Sequence, residues 1–249
     1  MNRLASGPIA LAVGALVAAA AGARAQQAPT PAPAQQQDTR PTVAILDFDV
    51  GAAIGTPESD LDALRRGLAA MTITELAVNP AVRVVERSQI QQILQEQDLA
   101  KSDRVDQATA LRIGRLLNAH YMVTGTLFAV HNDFRIAARM FDVETSQIIK
   151  TDEVRGKLDN VFDLASQLAT DLMRDANLPP LERHVMEEHR QQNPAPPTQA
   201  VMAYSRAVLY ADRGDTQHAV EQYRRAIAAF PSYTQAKTDC NRLQAGACS

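Results

Sequence analysis

The chain has no excess of positive charge. Its 25 Lys and Arg stand against 28 Asp and Glu, a formal net of −3 over 249 residues. With no polybasic run, it lacks the electrostatic footprint for wrapping nucleic acid or gripping an anionic membrane. Cysteine is scarce too: only Cys240 and Cys248 occur. In an exported, oxidising setting they are candidates for a disulfide if Gly246 lets the end of the chain fold back; two free thiols are the alternative. With no histidine near them, a metal site at the pair is disfavoured. No apolar run of spanning length follows residue 25, so no membrane span is expected in the mature chain. There is no G-x-S-x-G elbow, no phosphate-cradling glycine loop and no cysteine beside a candidate base, which disfavours enzyme activity.

What is present is a hydrophobic content of 46%, enough for a real core, behind an unusual start. Asn2 and Arg3, an Ala-rich apolar run and the small-x-small site Ala23-Arg24-Ala25 form a secretory signal peptide with cleavage after Ala25. A retained membrane anchor is the alternative. No cysteine lies near the cleavage site, so the usual attachment point for a bacterial lipid is missing. Residues 26–40 are rich in Pro and Gln and carry too few apolar groups to offset ordering entropy, as a disordered tether would. A second break, "RQQNPAPPTQ" at 190–199, divides the remainder. The expected organisation is an α/β domain at 41–178, a helical and Pro-rich linker at 179–198, and a small all-α module at 199–244.

Within the first domain, "TVAILDFDV" is apolar on both faces, as a central strand should be. Leu61, Leu64, Leu68, Met71 and Leu76 recur at helical spacing until Asn79-Pro80 stops the helix. "VRVVE" is a short strand. Ser88 with Gln91 makes a capping box for a helix carrying Ile90, Ile93 and Leu94, and another helix runs from about Asp106 to Asn118. "YMVTGTLFAVHNDFRIAARMFDVETSQII" supplies strands with very short connections, and a last amphipathic helix covers about Asn160 to Ala176. The order β-α-β-α-α-β-β-β-α predicts an α/β fold, a mixed sheet with packed helices.

The segments "VAILDF", "VVERSQIQQILQEQ", "IGRLLNAHYMVTGTL" and "ARMFDVETSQI" stand in the order and spacing of the CsgG/HfaB family, which the chain resembles over about residues 42–175. The resemblance implies a curli production assembly/transport component of a bacterial envelope. Members that form outer-membrane channels carry two inserted β-hairpins per subunit. A membrane strand needs about 9 to 11 residues, and only "HND" and "RGKLDN" stand where the insertions would fall. In "FRIAARM", Phe134, Ile136, Ala138 and Met140 share one face while Arg135 and Arg139 occupy the other, a pattern unsuited to lipid. The chain therefore resembles the periplasmic α/β part of the family without the channel.

The second module, "AVMAYSRAVLYADRGDTQHAVEQYRRAIAAFP", resembles a single tetratricopeptide repeat. Ala207, Tyr210, Gly214, Ala219, Tyr223, Ala226 and Pro231 match the pattern; Ala203 and Arg206 depart from it. One unit cannot bury its apolar face alone, so flanking helices cap it, or it docks on the first domain or on another chain. The resemblance implies a partner-binding stripe of Tyr204, Val208 and Asp212.

Asp47 and Asp49 form an Asp-x-Asp at a strand end, the arrangement with which a magnesium-dependent phosphatase attacks phosphorus and protonates the leaving group. Its other parts are missing, and ion pairing with Arg or capping of loop amides is the plainer reading. His184 and His189 are spaced unlike a metal pair and suit a solvated charged face. The expectation is thus an exported, non-enzymatic envelope protein of the periplasm, a scaffold or assembly accessory with envelope proteins as partners and no cofactor. A ring-forming subunit of a secretion complex is the alternative and the phosphatase a third reading; homo-oligomers are compatible with either of the first two.

Overall fold

β1 (Thr42–Ile45) buries all four of its residues because it runs inside the sheet, parallel to a strand on each side. The structure is a computed structural model and describes residues 38–97, 105–175, 178–179 and 181–248. The signal peptide expected at 1–25 and nearly all of the expected tether lie outside the described residues. After β1 come β2 (Asp49–Ile54), α1 (Glu58–Ala77), β3 (Arg83–Val84), α2 (Arg87–Glu96) and α3 (Gln107–Leu116). There follow β4 (Tyr121–Val130), β5 (Asp133–Asp142), β6 (Ile148–Lys157), a 3-10 turn at Leu158–Asn160 and α4 (Val161–Asp175). The chain ends in α5 (Arg183–Gln192), α6 (Thr198–Asp212), α7 (Thr216–Ala229) and α8 (Thr234–Leu243).

The six strands form one mixed sheet in the order β3-β1-β4-β5-β6, with β2 pairing to β4. This is the α/β fold with packed helices that the sequence predicts. β2 was not expected. The apolar run breaks at Phe48, whose ring sits over Gly125 so closely that a Cβ there would lie 2.2 Å from it. Beyond that wedge the chain resumes parallel pairing at Asp49↔Thr126. Half of β2 is exposed and none of it is fully buried, so backbone pairing defines it and no hydrophobic alternation announces it.

β4 and β5 pair antiparallel from Tyr121↔Asp142 to Val130↔Asp133, joined by His131 and Asn132 alone. β6 passes into α4 through the 3-10 turn. Both places where membrane hairpins would be inserted are closed by these short connections. Phe134, Ile136, Ala138 and Met140 are buried and Arg135 and Arg139 exposed, the two faces read from the sequence. Among the described residues, no helix is long and apolar enough to cross a membrane.

α1 is buried nearly all round, with Leu61, Leu64, Leu68, Met71 and Leu76 in the core. α4 and the sheet cover part of it and α6 covers another. The α1–α6 crossing is close: a Cβ on Gly67 would fall 2.0 Å from Ser205 Oγ and 2.9 Å from its Cα. The terminal helices thereby share a single hydrophobic core with the sheet, and Thr39–Ser249 forms one unit. α2 begins differently from the expected capping box. Its N-cap is Glu86, without a side-chain cap hydrogen bond, so Ser88 lies inside the first turn, and Gln91 reaches instead toward Asp47, 3.4 Å away.

Candidate functional site

The α1–α6 crossing holds α6 beside α2, and the connection after α7 brings α8 back along them. Between these helices lies a groove of about 680 Å³, within the usual size of ligand pockets. Aromatic rings form its floor. Tyr204 lies 5.2 Å from Tyr233 and 5.9 Å from Tyr223, centroid to centroid, and Phe230 meets Tyr233 edge-on at 6.1 Å. The Tyr204 hydroxyl donates to Asp239 Oδ2 at 2.8 Å and accepts from Gln235 Nε2 at 2.7 Å. Gln235 also donates to the Ala70 carbonyl on α1 at 3.1 Å, tying α8 to the core. Burial pushes the phenols of Tyr204, Tyr223 and Tyr233 well up, so they serve as neutral hydroxyls.

One end of the groove is an ion-pair network. Arg87, the first residue of α2, donates to Asp47 Oδ1 at 2.6 Å and to Asp212 Oδ2 at 2.7 Å. Arg66 of α1 stands 3.4 Å from Asp212 and 3.8 Å from Asp47. Flanking clamps join Arg206 to Asp60 at 2.7 Å and Arg213 to Asp62 at 2.9 Å. Burial pushes the Asp212 carboxyl up despite the pull of Arg87, and the Asp47 charge adds to the rise. Arg66 also pairs with Asp62, so the two guanidiniums serve three carboxylates, and Asp47 is engaged by cations in the way the plainer sequence reading describes. Asp49 is carried away into β2. Among the described residues, no group of three or more His, Cys, Asp and Glu could hold a metal ion.

The stripe Tyr204, Val208 and Asp212 does line the groove, but as wall rather than free surface. Tyr204 and Val208 are buried, and Asp212 is spent on Arg87. The more exposed walls come from α2 and α8, through Gln92, Gln95 and Thr238. Nothing in the sequence marks these residues as neighbours, because the two helices lie far apart along the chain. His189 differs from the solvated face expected for it. Its Nε2 lies 3.6 Å from Glu75 Oε1, and Ser166 donates to the other Glu75 oxygen at 2.8 Å, joining α5 and α4 to α1. His184 pairs with Glu182 at 3.2 Å. Cys240 and Cys248 are joined by a disulfide, with a Cα separation of 5.9 Å; Gly246, at φ +76°, turns the chain back toward α8.

Residues 24–138 match the family described as curli production assembly/transport component CsgG. Among solved structures, the chain is similar to the LpoB C-terminal domain from Salmonella enterica. That likeness has 17% identity, covers 47% of this chain and 82% of the other, and has a TM-score of 0.35. The PelC dodecamer from Paraburkholderia phytofirmans is 15% identical over 56% of this chain and 89% of that one, with a TM-score of 0.32. Lipoprotein GNA1162 from Neisseria meningitidis is 10% identical over 47% and 79%, with a TM-score of 0.37. Likeness at this level carries no function across. No curated protein sequence matches the chain.

Proposed function

We propose, from the match of residues 24–138 to the CsgG family, that the protein is a non-enzymatic accessory of the cell envelope, a scaffold or assembly factor that works by holding other proteins. The periplasm is the compartment that the signal peptide implies. The observation that carries this reading is the groove. It is large and aromatic-floored, and its ionisable groups at the Asp47 end are consumed in pairing, which favours holding a partner over chemistry on a substrate. The terminal helices, read from the sequence as a tetratricopeptide-like module, contribute one side of that surface and α1 and α2 much of the other.

The test uses the mature chain as bait in envelope extract, beside a Thr238→Trp variant. Thr238 is exposed on the groove wall, so the indole fills the groove at little cost to folding. Partner capture that Thr238→Trp abolishes supports the proposal. Capture indifferent to that substitution, or no capture together with turnover of a small substrate, rejects it.

A second reading is a ring of copies attached to a secretion complex. It is favoured by β6, which pairs with β5 alone among the described residues and exposes Ile148 and Ile149. Mass in solution decides it: a monomer at all working concentrations excludes the ring.

A further inference from the structure

The mouth of the groove carries a feature that the scaffold reading leaves unused. Glu86, at the start of α2, and Asp239, on α8, face each other across it, and one nitrogen of Arg242 reaches both. Arg242 Nη1 lies 3.2 Å from Asp239 Oδ1 and 3.7 Å from Glu86 Oε2. The Arg242 side chain is 51% exposed and that of Glu86 62%. The Glu86–Arg242 contact joins two exposed side chains and contributes little to stability, whereas the Asp239 side chain is 20% exposed; Arg242 is thus loosely held on the Glu86 side of a site formed by two carboxylates.

The rest of the groove is suited to the same sign of charge. Its ionisable lining has four acids, Glu75, Glu86, Asp212 and Asp239, against Arg87 and Arg242, with His189 beside Glu75. Arg87 is occupied by Asp47 and Asp212, which leaves Arg242 as the cation facing Glu86 and Asp239. Behind this pair the groove is lined by the partly buried rings of Phe230 and Phe162, apolar surface against which the stem of a long cationic side chain can pack. Along the α2 wall the exposed amides of Gln92 and Gln95 can both donate and accept, the complement of an extended backbone; Gln91 and Gln235 are engaged by Asp47 and by Tyr204 and the Ala70 carbonyl.

Resting on the scaffold reading, we propose that the groove takes an extended polypeptide segment of a partner protein bearing a Lys or Arg side chain. The incoming cation displaces Arg242 and bridges Glu86 and Asp239. A guanidinium, with donors in a planar fork, can serve both carboxylates at once.

The experiment measures binding of three blocked nonapeptides of alanine and proline, with central arginine, citrulline or glutamate, to the mature chain by fluorescence anisotropy. The arginine peptide is expected to bind most tightly, and its advantage to shrink at about 1 M salt, where the screening length falls to about 3 Å. Glu86→Gln should weaken it by about two- to fivefold, the worth of one exposed pair. Arg242→Ala should tighten it by a similar factor. That opposite sign separates a displaced stand-in from a structural arginine, whose loss would weaken binding. Both substitutions are at well-exposed side chains, and matching thermal melts check that the variants fold.

Equal binding of the three peptides, weaker binding by Arg242→Ala, or equal competition by free arginine overturns the inference. If Thr238→Trp still abolishes partner capture while the peptides are not distinguished, the cation inference fails alone. If Thr238→Trp has no effect on capture, the scaffold reading fails with it.

Discussion

At the scale of single residues, Arg87 organises the buried charges. It is held between Asp47 and Asp212, whose attraction raises the guanidinium's affinity for its proton against the cost of burial. Replacing it with methionine preserves much of the volume and leaves the two carboxylates with the longer contacts of Arg66 and, for Asp47, the amide of Gln91. Removing one partner of a buried ionic group costs roughly 3 to 5 kcal/mol, and Arg87→Met is expected to lose about that much in urea unfolding. Asp239 has the opposite sign. Burial lifts its carboxyl above the ordinary value of 3.8 despite the Tyr204 hydroxyl and Arg242. A carboxyl raised in the folded state supplies stability below its unfolded value, and that stability is lost as pH rises through the folded value. Asp239→Asn, which can still accept from Tyr204, should therefore gain on the native protein as pH rises above the ordinary carboxylate value. The check is the difference in denaturant midpoint between the two; a difference independent of pH contradicts the burial argument.

At the scale of elements, the packing of α6 on α1 rests on the absence of one methyl group. Gly67 has no room for a Cβ because Ser205 backbone and side chain stand within 3 Å of where it would sit. Overpacking of this kind costs about 1 to 3 kcal/mol, and Gly67→Ala gains back up to about 1 kcal/mol of helix propensity. A net loss is expected, with faster hydrogen exchange in α6 and α7 than in the sheet. The same contrast explains what the sequence makes legible. The alternation of β5 and the spacing of α1 are local signals read directly from neighbours in the chain, and the structure places those side chains accordingly. β2 is a strand because β4 offers it hydrogen bonds, which its own residues do not reveal. The groove is harder still: Arg87 meets Asp212 across 125 positions, and such a pairing has no local pattern. The stripe Tyr204, Val208 and Asp212 came from a resemblance; its residues reach the groove but are consumed by its walls.

At the scale of the whole molecule, the question is whether the terminal helices unfold independently of the sheet. The Pro-rich break at 190–199 suggests that they could. Against it stand a common core and polar links between the two parts: Arg87–Asp212, Arg206–Asp60, Arg213–Asp62 and Gln235 to the Ala70 carbonyl. α1 is the reason for the coupling. Its buried faces belong to both parts, so melting α6 away from it would bare the apolar surface around Gly67 to water. Exposing apolar surface costs about 25 cal/mol per Å², and a single helical hairpin without its neighbours has little stability to set against that. Residues 39–248 should accordingly unfold in one transition, with far-ultraviolet circular dichroism and tyrosine fluorescence coinciding and the calorimetric enthalpy matching the van't Hoff value. That fluorescence comes mainly from Tyr204, Tyr210, Tyr223 and Tyr233 in the terminal helical part, beside Tyr121 in the sheet. In Gly67→Ala the tyrosine signal should move ahead of the sheet, because the crossing that couples the two parts is the one weakened. Two separate transitions in the unmodified protein would show that α1 does not bind the parts into one cooperative body, and the groove would then be a contact made and broken between them.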